Sequence, residues 1–490
     1  MPEIPDIPAR PDERDRPQVG VDEWVAGVEG RREERRGVAG AFARGWERTP
    51  AWVRLGAFLA VAGTMPIWTN DSELFSYGIF TLLFAVLALG LNIVVGYAGL
   101  LDLGYVAFFG FGAYGYALLS SEHYGLHWPA EASIPVVVAG AALAGLLLGI
   151  PSRRLLGDYL AIVTLFFGQA FVFFVNSSNP TVGGQGLTGG PNGVADTDPL
   201  SVFGWELSTL THYFYYLLAV FALVVTALHL LSESRTGRAW RALREDPLAA
   251  EAMGMPVNRL KLMAFAIGAG VAGLVGCIFA ALLTAVSPGN FDVAVLITLY
   301  AIVILGGLGS ITGVILGAIV INVSFELLAS QNPQDRSRIL FYGVIVLLLV
   351  LRMRPWARLA GVLGATAALG FVAVLVADAV APSWTGGDAI DGGFLTRFIE
   401  NWALIPTGHA RFGEVAYVVL VGAVVVVAQL RGWWRTAALV PTLYLTALVW
   451  ENILVDQPAV TRLILFGALL VALMMARPQG LLGTPRVEVV

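Results

Sequence analysis

Residues 232 to 262, SESRTGRAWRALREDPLAAEAMGMPVNRLKL, are the one long stretch between two apolar blocks that is both strongly basic and readable as helix. The bases are Arg235, Arg238, Arg241, Arg244, Arg259 and Lys261. At its centre Glu245, Asp246 and Glu251 offer charge to a partner, and Ala249, Ala250 and Ala252 let a neighbouring helix approach closely. Pro247 suits an early helical position and Gly254 a helix end. This is docking chemistry rather than covalent chemistry; the alternative is a plain surface helix tethering two spans. The single lysine, Lys261, follows no Gly-x-x-x-x-Gly pattern, so no Walker A phosphate loop exists and the chain is not its own ATPase. His123, His127, His212, His229 and His409 include no His-Glu-x-x-His; His123 and His127 share an outward loop with Glu122, too few ligands for a metal. Cys277 is the only cysteine and sits in an apolar run, which excludes an internal disulfide and reads as a small buried thiol.

The elements that must carry these residues are membrane helices. Of 490 residues, 57% are hydrophobic and 13% charged, against about 25% charged in soluble domains. Mean hydropathy is +0.74 and net charge -5. Apolar runs of roughly 17 to 25 residues, each able to cross a core of about 30 Å, recur along the chain. They lie near 51–69, 74–97, 100–119, 132–150, 157–175, 211–231, 262–286, 292–306, 311–329, 338–353, 358–381, 413–430, 435–453 and 461–477. The expected fold is an all-α polytopic bundle of about 12–14 spans. Residues 1–50 are polar, without an apolar signal core, and read as a cytoplasmic tail. Within it, GVEGRREERRGVAGAFARGW suits either a basic amphipathic helix on anionic lipid, with Trp46 at the headgroups, or a solvated linker.

With the N-terminus inside, alternation places Arg153, Arg154, the 232–262 loop, Arg352, Arg354, Arg431, Arg435 and the C-terminus in the cytoplasm, as the positive-inside rule asks. Outward loops before residue 330 carry no Lys or Arg. This counting needs two crossings in 292–329, broken near Gly306 to Ser310, and two in 74–119, broken near Gly99. Spans fill 51–353 and continue through 354–460, and a final span with a cytoplasmic end occupies 461–490. Glu326 to Pro355 and Glu451 to Pro478 echo one another, either by duplication or by shared membrane-helix composition.

Gly309, Gly313 and Gly317, spaced by four, predict a smooth helix face for close packing, and Gly268, Gly270, Gly273 and Gly276 thin another helix. Asn92 and Asp102 flank the break at Gly96 and Gly99, where an interrupted helix can meet a zwitterion. With Tyr105 and, on the outward loop, Asn192, they are the candidate substrate path. A helix-helix hydrogen bond for Asn92 and a short cytoplasmic turn for Asp102 are the structural alternatives. Asp158, near Arg154, reads as an interfacial charge. The run TVGGQGLTGGPNGVADTDP at 181–199 either shapes the outer mouth or merely connects.

The central loop resembles the EAA-type coupling motif of ABC importer permeases, whose short cytoplasmic helix enters a groove of the nucleotide-binding subunit. Further segments resemble the LivM branch of branched-chain amino-acid permeases: LGLNIVVGYAGLLDLGYVAFFGFGAYGYALL at 89–119, LTGGPNGV at 187–194, RALREDPLAAEAMGMPVNRLKLMAFAIGAGVAGLVGCIFA at 241–280, ILGGLGSITGVILGA at 304–318 and ARPQGLLG at 476–483. Around Asp102 and Tyr105 the family more often shows a small hydroxyl residue and a histidine, a departure that bears on the substrate.

The resemblance implies a permease subunit without catalysis of its own, with a permease core at 51–353 and inserted helices at 354–460, binding no cofactor, with ATP and Mg held by partner subunits. The implied partners are two ABC ATPase subunits, a second LivH-like permease, an extracytoplasmic binding protein and membrane lipid, with no nucleic acid. Glu245, Asp246, Ala249, Ala250, Glu251, Ala252 and Gly254 would couple to the ATPase, and the location is a bacterial inner membrane. Uptake of urea or short amides is the alternative cargo. An ion-coupled secondary transporter using Asp102, Asp158, Glu326 or Asp378 is the alternative class.

Overall fold

The computed structural model describes residues 50–152, 158–177, 181–182, 185–202, 204–327, 356–380, 401–406, 412–430, 432–454 and 480–482, with isolated positions between 341 and 467. The polar N-terminal segment with Trp46, Arg153 and Arg154, most of the echoed segments at 326–355 and 451–478, and the span at 461–477 lie outside them. Contacts divide the chain into two units, Met1–Ala62 and Gly63–Val490. The described part of the first is almost entirely helix α1 (Ala51–Gly63).

The second unit is helical. Its helices are α2 (Asp71–Tyr97), α3 (Tyr105–Leu119), α4 (Ala130–Ser152), α5 (Asp158–Ser177), α6 (Leu210–Glu233), α7 (Arg235–Glu245), α8 (Pro247–Ala252), α9 (Val257–Leu283), α10 (Val293–Gly306) and α11 (Ile311–Leu327). Then come α12 (Trp356–Val380), α13 (Phe412–Gln429) and α14 (Gly432–Val449). Among the described residues seven helices are long and apolar enough to cross a membrane, and four shorter apolar helices, α3, α11 and α13 among them, accompany them. The chain is thus a polytopic helical membrane protein. The two breaks expected near Gly99 and Gly306 to Ser310 are present: each separates two distinct helices.

Helix α2 sits deepest. An 18-residue stretch of it is 83% buried, whereas the same length of α5 or of α12 is 22% buried. Outer helices therefore turn large apolar side chains such as Phe166, Phe173 and Leu375 outward, the arrangement a hydrocarbon solvent favours. Helix α2 is also irregular, because π-turns widen it at Leu74–Ile79 and again at Ile93–Tyr97. Such turns displace backbone groups from the regular ladder and require other donors.

Close packing runs through α9. A Cβ on Gly276 would overlap the Phe109 carbonyl of α3, and one on Gly112 of α3 the Gly273 carbonyl of α9. Gly273 meets Ala141 of α4 at 2.5 Å and Gly268 meets Val94 of α2 at 2.7 Å, measured from the same hypothetical Cβ, while Gly270 makes only ordinary contacts. Cys277 is buried in this seam and its thiol points to the Gly112 carbonyl at 3.6 Å. Helices α10 and α11 form an antiparallel hairpin in which Gly313 fits against Gly306, and Gly317 against the Ile302 carbonyl. Gly309 does not share that face. It lies in the turn before α11 with φ +80, because a spacing of four persists in sequence even where the helix has not begun.

At the end of this unit opposite α7 and α8, the connections form an ordered cap. The hairpins β1 (Thr181–Val182) with β2 (Gln185–Gly186) and β3 (Ser201–Val202) with β4 (Trp205–Glu206) are joined to neighbouring loops by bridges from Val194 to Val286 and from Thr197 to Ser121. His123 meets the Gly186 carbonyl at 2.8 Å and His127 pairs with Asp198 at 2.8 Å, so both histidines bond within this cap. Helices α12 to α14 pack around a separate cluster in which Trp450 stacks on Phe341 at 4.0 Å and Trp402 donates to the Ala367 carbonyl.

Replacing Gly276 by Leu should force backbone apart and cost at least about 1–3 kcal/mol. The expected outcome is a melting temperature lowered by several degrees in detergent. Gly422→Leu, at a position with open space around it, should melt as the parent does.

Candidate functional site

The basic loop is built in two steps. Ser234 ends α6 and caps α7, its hydroxyl accepting from the Gly237 amide at 3.2 Å. Arg238 and Arg241 reach back to the Glu233 and Ser232 carbonyls at 2.6 and 3.0 Å, neutralising the end of α6. Arg235, Arg238 and Arg241 are thus an exposed stripe. The opposite face follows spacings of three and four through Gly237, Trp240 and Arg244 and is packed inward. Trp240 is fully buried, and its indole donates to the Leu260 carbonyl at 2.9 Å, fixing α7 to the start of α9.

Arg244 completes the attachment. Its guanidinium donates to the Gly96 carbonyl in the second π-turn of α2 at 2.6 Å. In a regular helix that carbonyl would take the amide of Leu100, which instead bonds Val94 at 3.0 Å. Gly99, with φ +70, leaves no room for a side chain, since a Cβ would stand 3.2 Å from the Arg244 Cα. On the other side the Gly309 amide donates to Asn92 Oδ1 at 2.9 Å, so the turn between α10 and α11 is clasped to the same end of α2. A fourth piece joins here: Leu481 and Leu482 donate their amides to the Leu305 and Gly306 carbonyls at 2.8 and 3.0 Å, with Gly480 against Gly307.

Beyond Arg244, Asp246 caps α8, its carboxylate accepting from the Leu248 and Ala249 amides at 2.8 and 3.1 Å. The helix closes with a Schellman pattern, Met255 donating to the Ala250 carbonyl and Gly254 to that of Glu251, which needs the φ of +79 at Gly254. Of the seven residues expected to couple, Glu245, Asp246, Ala249, Glu251, Ala252 and Gly254 are exposed together, whereas Ala250 is buried against the chain's own core. Leu248 and Met253, 75% and 81% exposed, extend the outward surface and were not among the expected residues. Their signal was available: large apolar side chains on a short charged helix that points at nothing in its own chain.

The four substrate-path candidates do not gather around one cavity. Asn92 is buried and holds the Gly309 turn, while its Nδ2 finds no partner among the described residues. Tyr105 is buried and donates to the Leu87 carbonyl within α2 at 3.0 Å. Asn192 is exposed in the cap at the far end. Asp102 lies in the connection between α2 and α3, within the span expected at 100–119, and accepts from the Gly104 amide at 2.9 Å through one oxygen only, its Oδ2 finding no partner among the described residues. The connection is further held by Tyr300, whose hydroxyl donates to the Asp102 carbonyl at 2.7 Å, and by the Leu103 amide on Thr164.

The profile of a family described as branched-chain amino acid transport system / permease component matches residues 74–349. The chain is 38% identical over 323 residues to the high-affinity branched-chain amino acid transport system permease protein LivM of Escherichia coli (strain K12), covering 61% of this chain and 73% of that one. It is 25% identical over 205 residues to LivH, the permease protein of the same name from Salmonella typhimurium, covering 41% and 62%. It is 26% identical over 205 residues to the fructose import permease protein FrcC of Rhizobium meliloti, covering 40% and 55%. No solved structure matches.

Arg244→Met should remove a charge-assisted bond worth about 1.5–3 kcal/mol and lower the melting temperature, with a cysteine placed at position 308 becoming more reactive to maleimide.

Proposed function

The chain belongs to the family of branched-chain amino-acid transport permease components, and from that premise we propose that it forms one transmembrane half of an importer driven by ATP hydrolysis in separate subunits. Two ATPase subunits holding ATP and Mg, a second LivH-like permease and an extracytoplasmic binding protein complete the assembly. The cargo is a branched-chain amino acid moved inward. The Arg-rich end carrying α7 and α8 faces the cytoplasm of the inner membrane, as do both termini, a reading supported by the absence of Lys and Arg from the opposite connections before residue 330.

One observation carries this reading: α8 is a capped helix that turns Leu248, Ala249, Glu251 and Met253 outward, on a loop that Trp240 and Arg244 fasten to the spans. A surface of that composition suits a groove in another protein, with Leu248 and Met253 as apolar anchors and Glu245 and Glu251 as charged ones. The chain makes and breaks no covalent bond. Force applied to α8 by closing ATPase subunits passes through α7 to the end of α2 and, through Gly309, to the α10–α11 turn. That turn and the end of α2 would move as one body because Arg244 and Asn92 hold them together.

In liposomes reconstituted with the ATPase subunits, the second permease and the binding protein, Glu251→Lys and Met253→Glu should each cut leucine-stimulated ATP hydrolysis about tenfold, equivalent to roughly 1.4 kcal/mol. Gly254→Val, which imposes a left-handed backbone on a branched side chain, should do the same while membrane insertion stays intact. Leucine uptake that continues without ATPase subunits, driven by a proton or sodium gradient, would refute the proposal.

A further inference from the structure

Helix α6 ends at Glu233 as one of the apolar spans, and Leu223 and Leu230, 67% and 66% exposed, turn hydrocarbon outward into its last turn. The guanidiniums of Arg238 and Arg241 donate to the carbonyls of Glu233 and Ser232, in that same turn, at 2.6 and 3.0 Å. They therefore sit at the level where a hydrocarbon layer gives way to headgroups. Arg235 joins them on the exposed face of α7. Among the described residues none of the three has a carboxylate within ion-pair distance, and Arg238 and Arg241 each donate to a single carbonyl, so most of each fork of N–H donors is left over. Segment 232–244 sets Arg235, Arg238, Arg241 and Arg244 against one carboxylate, Glu233, and Arg244 turns inward. The exposed face is thus net positive. Its platform is fixed, because Gly237, Trp240 and Leu243 are buried on the other face of α7 and the Trp240 indole holds the Leu260 carbonyl.

Guanidinium groups held at this depth match a phosphodiester, whose unesterified oxygens accept paired N–H donors. A basic side chain beside a span gains from an anionic bilayer surface, and one already held in place loses little freedom on binding. We propose that Arg235, Arg238 and Arg241 form a binding surface for the headgroup of an anionic phospholipid, its phosphate seated across the stripe and its acyl chains lying along the apolar outward face of α6. This surface differs in charge from α8 and its approach, where Glu245, Asp246 and Glu251 are exposed. A protein face complementary to those carboxylates would be basic and would repel the stripe, whereas a phosphate is drawn to it. The bound phosphate would brace α7 from the side opposite Trp240. The inference needs only that α6 crosses a bilayer, and it stands or falls apart from the motor proposed for α8.

The test is native mass spectrometry of the full-length chain in detergent, titrated with phosphatidylglycerol or with phosphatidylcholine of the same acyl chains. Phosphatidylglycerol should bind at least about tenfold more tightly. Arg235→Gln and Arg241→Gln should each weaken it about fivefold, the gain expected of one basic side chain at an anionic surface, and the variant lacking all three arginines should bind both lipids alike. Arg435→Gln, which removes an exposed arginine elsewhere, should leave the preference unchanged. Millimolar inorganic phosphate should not compete, because it brings no acyl chains to α6. Arg235 is exposed at the first position of α7, so its variant should melt as the parent does and decides the matter if the triple variant melts early. Equal binding of the two lipids, displacement by inorganic phosphate, an equal loss in Arg435→Gln or unchanged binding in Arg235→Gln overturns the proposal. So does a stripe variant that binds lipid as the parent does yet no longer captures an ATPase subunit, which would make this face a protein interface.

Discussion

Within an apolar slab a backbone carbonyl has only protein donors to choose from, and leaving one unpaired costs several kcal/mol. Helix α2 meets that constraint at both ends. It carries a π-turn near each end, and a side chain from elsewhere bonds a carbonyl in each: Asn322 to Ser76 at one end and Arg244 to Gly96 at the other. The first bond requires α11 to lie beside α2; the second requires α7 to fold back under the spans. Once α7 is there, Trp240 can bury against the start of α9, and α8 is left projecting outward. The clasp of Asn92 on Gly309 then fixes the hairpin of α10 and α11 to the same place.

The glycines of α9, α3 and α11 are consumed by contacts inside the chain, where they let backbones approach to distances that no side chain would permit. These seams set the frame and leave little for cargo selection. Permeases named for branched-chain amino acids and for fructose align with parts of the same chain.

Much of this was legible in the sequence. Long apolar runs announce the spans, and the glycines at 96 and 99 and at 306, 307 and 309 announce the two breaks. The cap and end of α8 were readable from Asp246, Pro247 and Gly254. Other features were not. The arginines of the loop look alike as charges, and only the phase shared by Trp240 and Arg244 separates the inward one from the exposed stripe. Ala250 and Ala249 are indistinguishable by type, yet a six-residue helix turns one toward the core and the other outward. The bond from Asn322 to Ser76 joins residues far apart in the chain, and no local pattern encodes it. The glycine-rich run after Thr181 gave no sign of choosing between connector and cap; its order comes from bridges to Val286 and Ser121.

The pairing of Leu481 and Leu482 with the end of α10 has a temporal side. During synthesis the carbonyls of Leu305 and Gly306 are inserted long before the ribosome reaches their donors. Until then the junction beside Arg244 lacks one of its four pieces, and the nascent chain sits in the bilayer with that corner open. Emergence of Leu481 and Leu482 is thus what seals it, and a product halted short of Leu481 would keep that corner open.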